Sequence, residues 1–238
     1  MAKMRQLPIT DLARVSVLER SLRRPALEQV KEGGGRGSYR PTRKTLGDIV
    51  NRQPGVFSLP RPSWVVISSE VKKLSKNEVE EKMNLRSARA IFDYCEVEGV
   101  EARELEAFPL SFSIGLKLTC WSPALFVYPD RIAIPFFDMR RTYALTPDAA
   151  RFMMSVMHIA LRESNPDYEN VELEILRLTN TDARTVHSIQ KIPGSLYSYE
   201  QLEEMVWETQ SLWVDIQTER QDRRRRSGDK WGEGDLFA

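Results

Sequence analysis

Leu110-Ser111-Phe112-Ser113-Ile114-Gly115-Leu116-Lys117-Leu118-Thr119-Cys120 alternates apolar and polar residues without a break. Side chains along a strand point to opposite faces in turn, so a period of two over this length predicts one strand with a single buried face. The flanking sequence repeats the theme. Ala124 to Tyr128 and Arg131 to Phe137 enclose Pro129-Asp130 and read as a hairpin, with Pro135 marking an edge or a bulge. Val171 to Leu178 and Ala183 to Gln190 enclose Asn180-Thr181-Asp182 and read as a second hairpin.

Three helices surround these strands. Ser75-Lys76-Asn77-Glu78 has the spacing of a capping box and opens a helix that runs to about Val97, ahead of Gly99. Thr146-Pro147-Asp148 combines a capping hydroxyl, a proline at the first helical position and an acid at the positive end of the dipole. The helix behind it is apolar over most of its circumference, which predicts a central core helix. Ser198-Tyr199-Glu200-Gln201 is another capping box; the long helix that follows carries Leu202, Met205, Val206, Thr209, Trp213 and Ile216 on one face. Short turns between consecutive strands predict an α+β fold: an antiparallel sheet of about five strands packed on one face by about three helices. The domain is expected to span residues 63–227.

Charge is laid out unevenly. Residues 1–62 hold 13 Lys/Arg against 5 Asp/Glu, whereas residues 63–218 hold 16 against 24, within a chain whose formal charge is +1. Thr10 to Arg24 reads as a short helix closed by Pro25. Six of the 12 glycines and six of the 13 prolines precede residue 63, among them Gly33-Gly34-Gly35-Arg36-Gly37. The segment 25–62 is therefore expected to be a flexible basic arm on an acidic body. Arg20, Arg23, Arg24, Arg36, Arg40, Arg43 and Lys44 would grip phosphates, with Tyr39 available for stacking. The bland alternative is an arm that is merely solvated, or folded against the acidic body.

Catalysis finds little support. The two histidines, His158 and His187, lie in no nucleophile motif, and the two cysteines, Cys95 and Cys120, are too few for a four-ligand zinc site. The glycine run lacks the Lys-Ser/Thr of a phosphate loop. Asp130, Asp138, Glu172 and Glu174 are the acids that a metal-dependent hydrolase or nuclease would use. No cofactor is implied. No apolar run is long enough to span a bilayer and no secretory signal is recognisable, so a soluble, cytoplasmic protein without a membrane partner is expected.

A protein partner is implied by two features. Trp207 points away from the apolar face of the last helix, and an exposed tryptophan is a frequent interface anchor; the alternative is that a second layer, such as the helix from Asn77 to Val97, covers it. Residues 228–238 form a polar, glycine-rich tail that ends Asp235-Leu236-Phe237-Ala238. These four residues resemble the short tail peptides by which bacterial DNA-maintenance proteins dock on a sliding clamp or on each other, although the glutamine usual in clamp-binding peptides is absent. The resemblance implies that Leu236 and Phe237 bind a partner; the alternative is an unselected frayed terminus. The leading expectation is a non-enzymatic accessory protein whose arm holds nucleic acid and whose body or tail engages a protein. A protein–protein adaptor without nucleic acid is the rival.

Overall fold

In a computed structural model the chain is described at residues 6–30, 39–55, 59–105 and 124–229, together with 110–112, 115, 117, 118 and 122. The central elements are β5 (Ile132–Asp138) and β6 (Glu172–Leu178), which follow β1 (Glu101–Arg103) and β4 (Leu125–Val127) and precede β7 (Val186–Ile189). The five strands are ordered β1-β4-β5-β6-β7. Helix α7 (Pro147–Met157) crosses between β5 and β6, so these two strands run parallel, with Ala133 opposite Glu172 and Asp138 opposite Arg177. The expected antiparallel sheet is thus a mixed one: a helix-length crossover brings the chain back to the same end, whereas a short turn would reverse it. Both expected hairpins are present, as β4–β5 and β6–β7.

The second correction concerns the layers. Ile134 and Phe136 of β5 and Leu173 and Ile175 of β6 face one core, while Ala133, Phe137, Leu176 and Leu178 face another. Strands buried on both sides need cover on both sides. Helices α1 (Ile9–Ser16), α2 (Arg20–Glu28), α7 and α8 (Tyr199–Asp229) belong to the first layer. Helices α4 (Leu46–Ile49), α5 (Trp64–Leu74) and α6 (Glu78–Val97) belong to the second, with α3 (Arg40–Lys44) joined to α6. The fold is α+β, with eight α-helices among the described residues.

The alternating stretch 110–120 does not form one strand. Its described residues make a small separate hairpin of β2 (Leu110–Ser111) and β3 (Lys117–Leu118), with Leu110 opposite Leu118. Gly115 is the reason: its φ is +75° and its N–H donates to the Phe112 carbonyl at 3.0 Å, a turn that a residue with a Cβ adopts only at a cost. The alternation still predicts the faces, since Leu110, Phe112 and Leu118 are buried while Ser111 and Lys117 are exposed.

The segment expected to be a mobile arm carries short helices that pack on the domain, joined at 50–55 and 59–62 by non-helical chain. Leu46, Ile49 and Val50 are buried in the core that holds Ile91, Phe92 and Cys95. Thr42 donates through its backbone N–H and its hydroxyl to Asn84 Oδ1, at 3.1 and 2.7 Å. Gln53 donates its N–H to the Ala102 carbonyl at 2.9 Å, beside β1. Pro41 and Gly47 lie inside short helices here. The expected helix 10–24 is broken into α1 and α2 at residues 17–19, and Pro25 lies inside α2. Caps follow the sequence more closely. Thr146 Oγ1 accepts from Ala149 N at 3.2 Å, Ser198 and Gln201 cap each other, and the box at α6 sits two residues later than expected, with Asn77 Oδ1 accepting from Glu80 N at 3.0 Å.

Candidate protein-interaction site

Helix α8 is the element on which the candidate surface is built. Leu202, Val206, Thr209, Trp213 and Ile216 face the core at helical spacing. Ser16 of α1 and Thr209 share a hydrogen bond of 2.9 Å, which fixes the register of the two helices. The opposite face carries Trp207, 53% exposed, and Val214, 39% exposed. A spacing of seven residues places them two turns apart on one side. Glu200 and Glu203 precede Trp207 on the same side by the same rule, giving an apolar stripe with an acidic start.

The basic residues expected on the arm separate into two places. Arg20 and Arg23 both hold Glu208, and the Arg23 Nη1 contact is 2.5 Å. Arg24 binds Glu219 at 2.5 Å and Glu28 at 3.2 Å. These pairs fasten α2 to α8. The Arg23 and Arg20 bonds outweigh burial and hold the Glu208 carboxyl below its usual range. Arg220 adds bonds to the carbonyls of Glu28 and Val30 at 2.7 and 3.1 Å. Three cations expected to reach outward are therefore engaged by the chain's own carboxylates, and the picture of a free arm is corrected at these residues.

Tyr39, Arg40, Arg43 and Lys44 belong elsewhere, on and beside α3. Tyr39 Oη accepts from Arg184 Nη1 at 3.2 Å. Burial, and then the charge of Arg140, push the Arg43 guanidinium below its usual value. Arg36, Leu236 and Phe237 lie outside the described residues.

The four acids proposed for metal chemistry do not meet. Asp138 sits at the far end of β5, opposite Arg177, where its Oδ2 accepts from Leu145 N at 2.8 Å. Glu174 lies three positions back along the parallel pair and Glu172 five, so Asp138 is about 10 Å and about 16 Å from them along the strand rise. Asp130, Glu172 and Glu174 gather instead around Arg131, at 3.4, 3.5 and 3.6 Å. Glu174 is fully buried and also accepts from Tyr128 Oη at 2.5 Å and Ser188 Oγ at 2.8 Å. Burial raises its pKa against the opposing pull of these donors and of Arg131. His158 pairs with Glu163 at 3.2 Å in a π-helical turn after α7, and His187 is exposed on β7.

Comparison with known proteins bears on what such a surface binds. The sequence profile of SocB, described as a sliding clamp-binding bacterial toxin, matches residues 10–223, from α1 to the last turns of α8. The DNA replication inhibitor toxin SocB of Caulobacter vibrioides (strain NA1000 / CB15N) is 34% identical over 238 residues, covering 98% of this chain and all of that protein. The chain belongs to the SocB family. No solved structure matches it.

The signal that pointed toward a clamp was the four-residue tail, and the SocB profile ends before it. The match covers the described domain, including α8 and Trp207. No helix among the described residues is long and apolar enough to cross a membrane.

Proposed function

We propose that this protein binds the bacterial sliding clamp and thereby inhibits DNA replication. The observation that carries the reading is the full-length relationship to SocB. The fold favours a protein partner as well. The α2 arginines expected to hold phosphate are consumed by Glu208, Glu219 and Glu28, whereas Trp207 and Val214 stand exposed on α8. A tryptophan on a rigid helix loses little entropy on docking and buries a large area, which is why it anchors interfaces. We assign the contact to α8 around Trp207 and to Leu236 and Phe237 of the tail that follows it. No cofactor takes part, and the work is done in the cytoplasm, where the clamp is loaded. The adaptor reading then reduces to an inhibitor that occupies the clamp without passing it to another protein.

Isothermal titration of the full chain against the sliding clamp of its own source tests the reading. Saturable binding is expected, weakened at least about tenfold by Trp207→Ala, in line with an interface anchor. Leu236→Ala combined with Phe237→Ala is expected to weaken it as well. Absence of binding by the unaltered chain removes the proposal; full affinity in both variants moves the contact off α8 and the tail.

A further inference from the structure

The loop from β5 to α7 lies at the carboxyl end of the parallel strand pair, a position where open sheets with crossover helices commonly bind ligands. Three aspartates reach this end; Asp11 and Asp182 are each shared between two guanidinium groups, and Asp138 faces one. Asp11 of α1 accepts from Arg140 at 2.5 and 2.8 Å and lies 3.6 Å from Arg14. Asp182 binds Arg86 at 2.7 Å and Arg141 at 3.4 Å. Asp138 lies 3.8 Å from Arg177 Nε and accepts from the Arg140 backbone N–H at 3.4 Å. Arg184 adds a further cation whose hydrogen bonds go to neutral oxygens of Tyr39, Ser87, Met139 and Thr179. One carboxylate for two guanidiniums leaves this end with a surplus of positive charge. Burial and then the charge of Arg140 lower the pKa of Arg14 and Arg43, whereas at Arg140 itself the bonds and charge of Asp11 outweigh burial and raise it.

Tyr143 sits in the middle of the same loop. It is 67% exposed, and its φ is +62°, an uncommon backbone state for a large side chain that clusters at functional sites. Arg14 Cζ lies 4.7 Å from the ring centroid, covering one face. The exposure of Tyr143 leaves ring surface open to solvent, and Arg141 nearby is 56% exposed at its side chain. Guanidinium forks suit phosphate oxygens, and a tyrosine face suits an unpaired base. Lysine-rich patches that merely raise solubility need neither the shared carboxylates nor the strained aromatic.

We infer that this end of the domain binds single-stranded nucleic acid, with phosphates on Arg14 and Arg141 and one base stacked on Tyr143. The site is distinct from the α2 arginines and from the α8 surface, and does not depend on clamp binding. An acidic protein surface is the competing occupant.

Fluorescence anisotropy with a short labelled oligonucleotide, single-stranded and duplex, read over a salt series, tests the inference on the full chain. The single strand is expected to bind more tightly than the duplex and to weaken as salt rises. Arg141→Glu should lower its affinity about tenfold or more, since a phosphate contact is replaced by a repulsion. Tyr143→Gly should lower it about fivefold or more through lost stacking, and glycine accepts a positive φ, so folding is not at risk. Arg20→Ala, and Leu236→Ala with Phe237→Ala, should bind the oligonucleotide as the unaltered chain does. No binding by the unaltered chain, or unchanged binding by Arg141→Glu, overturns the site. Displacement of the oligonucleotide by polyglutamate at equal charge concentration overturns it in favour of an acidic protein. Equal duplex binding together with no effect of Tyr143→Gly overturns the single-strand assignment.

Discussion

The two ends of the β5–β6 pair solve opposite electrostatic problems. At the amino end of β6 one cation, Arg131, serves Asp130, Glu172 and Glu174, and the deepest of these acids also needs Tyr128 and Ser188. Arg131 Cζ lies over the Tyr128 ring, 3.7 Å from its centroid, and Tyr94 completes the network through a 3.0 Å bond to Tyr128. At the carboxyl end the stoichiometry reverses: Asp11 and Asp182 each stand between two cations, and Asp138 faces Arg177. The first end is closed, with a buried carboxyl whose bonds are made inside the domain. The second opens at Arg141 and Tyr143. Identical backbone pairing thus supports a sealed polar core at one end and a charged, accessible edge at the other, so chemistry follows the ends of the strands and not the sheet as a whole.

The sealed end is expected to be the more fragile. Arg131→Ala should cost about 3 kcal/mol, read by urea unfolding, because it leaves a buried carboxylate without its cation. A loss below about 1 kcal/mol would mean that Tyr128 and Ser188 alone satisfy Glu174. At the open end, Asp11→Asn should cost about 2 kcal/mol by the same measurement, since Arg140 loses a bidentate partner but retains some contact with water. If the ranking of the two variants inverts, the distinction between sealed and open ends fails. Thr146→Ala, which removes the cap where the open-end loop enters α7, should cost about 1 kcal/mol.

The smallest expected effect is one of pH. Burial raises the Glu174 pKa above the ordinary 4.5, so between these values the folded chain holds a proton that the unfolded chain has released. Stability contributed by this group therefore falls as pH rises through that window. Glu174→Gln should remove that component: the difference in stability between wild type and variant shifts against the wild type as pH rises from 4.5. A pH-independent difference would place Glu174 at an ordinary pKa.

Legibility in the sequence followed the range of the forces involved. Caps and hairpins act over a few residues, and Thr146, Ser198 and the Pro129-Asp130 turn were readable for that reason. The crossover between β5 and β6 was not. Both strands, Ile132–Asp138 and Glu172–Leu178, are buried on both faces, but Glu172 and Glu174 give the second an alternating polar pattern that is equally compatible with a hairpin partner. The arm failed for a different reason. Glycine and proline frequency argued for mobility, yet Leu46, Ile49 and Val50 recur at helical spacing and Thr42 finds Asn84, 42 positions away. Helix α5 was missed because Val65, Val66 and Ile67 suggest a strand in isolation, whereas Ile67 and Val71 bury one helical face. The face of α8 showed that Trp207 leaves the first core, but not whether a second layer covers it; it is exposed. Of the charged cluster at the carboxyl end, only Asp138 with Arg140 and Arg141 stands together in the sequence; Asp11, Arg86 and Asp182 come from distant segments.

Clamp-dependent DNA synthesis in a purified replication reaction tests the functional account most directly. Adding the protein is expected to stop synthesis, and adding excess free clamp is expected to restore it, with Trp207→Ala inhibiting less than the unaltered chain. Inhibition that is relieved by excess DNA and untouched by excess clamp would contradict the account.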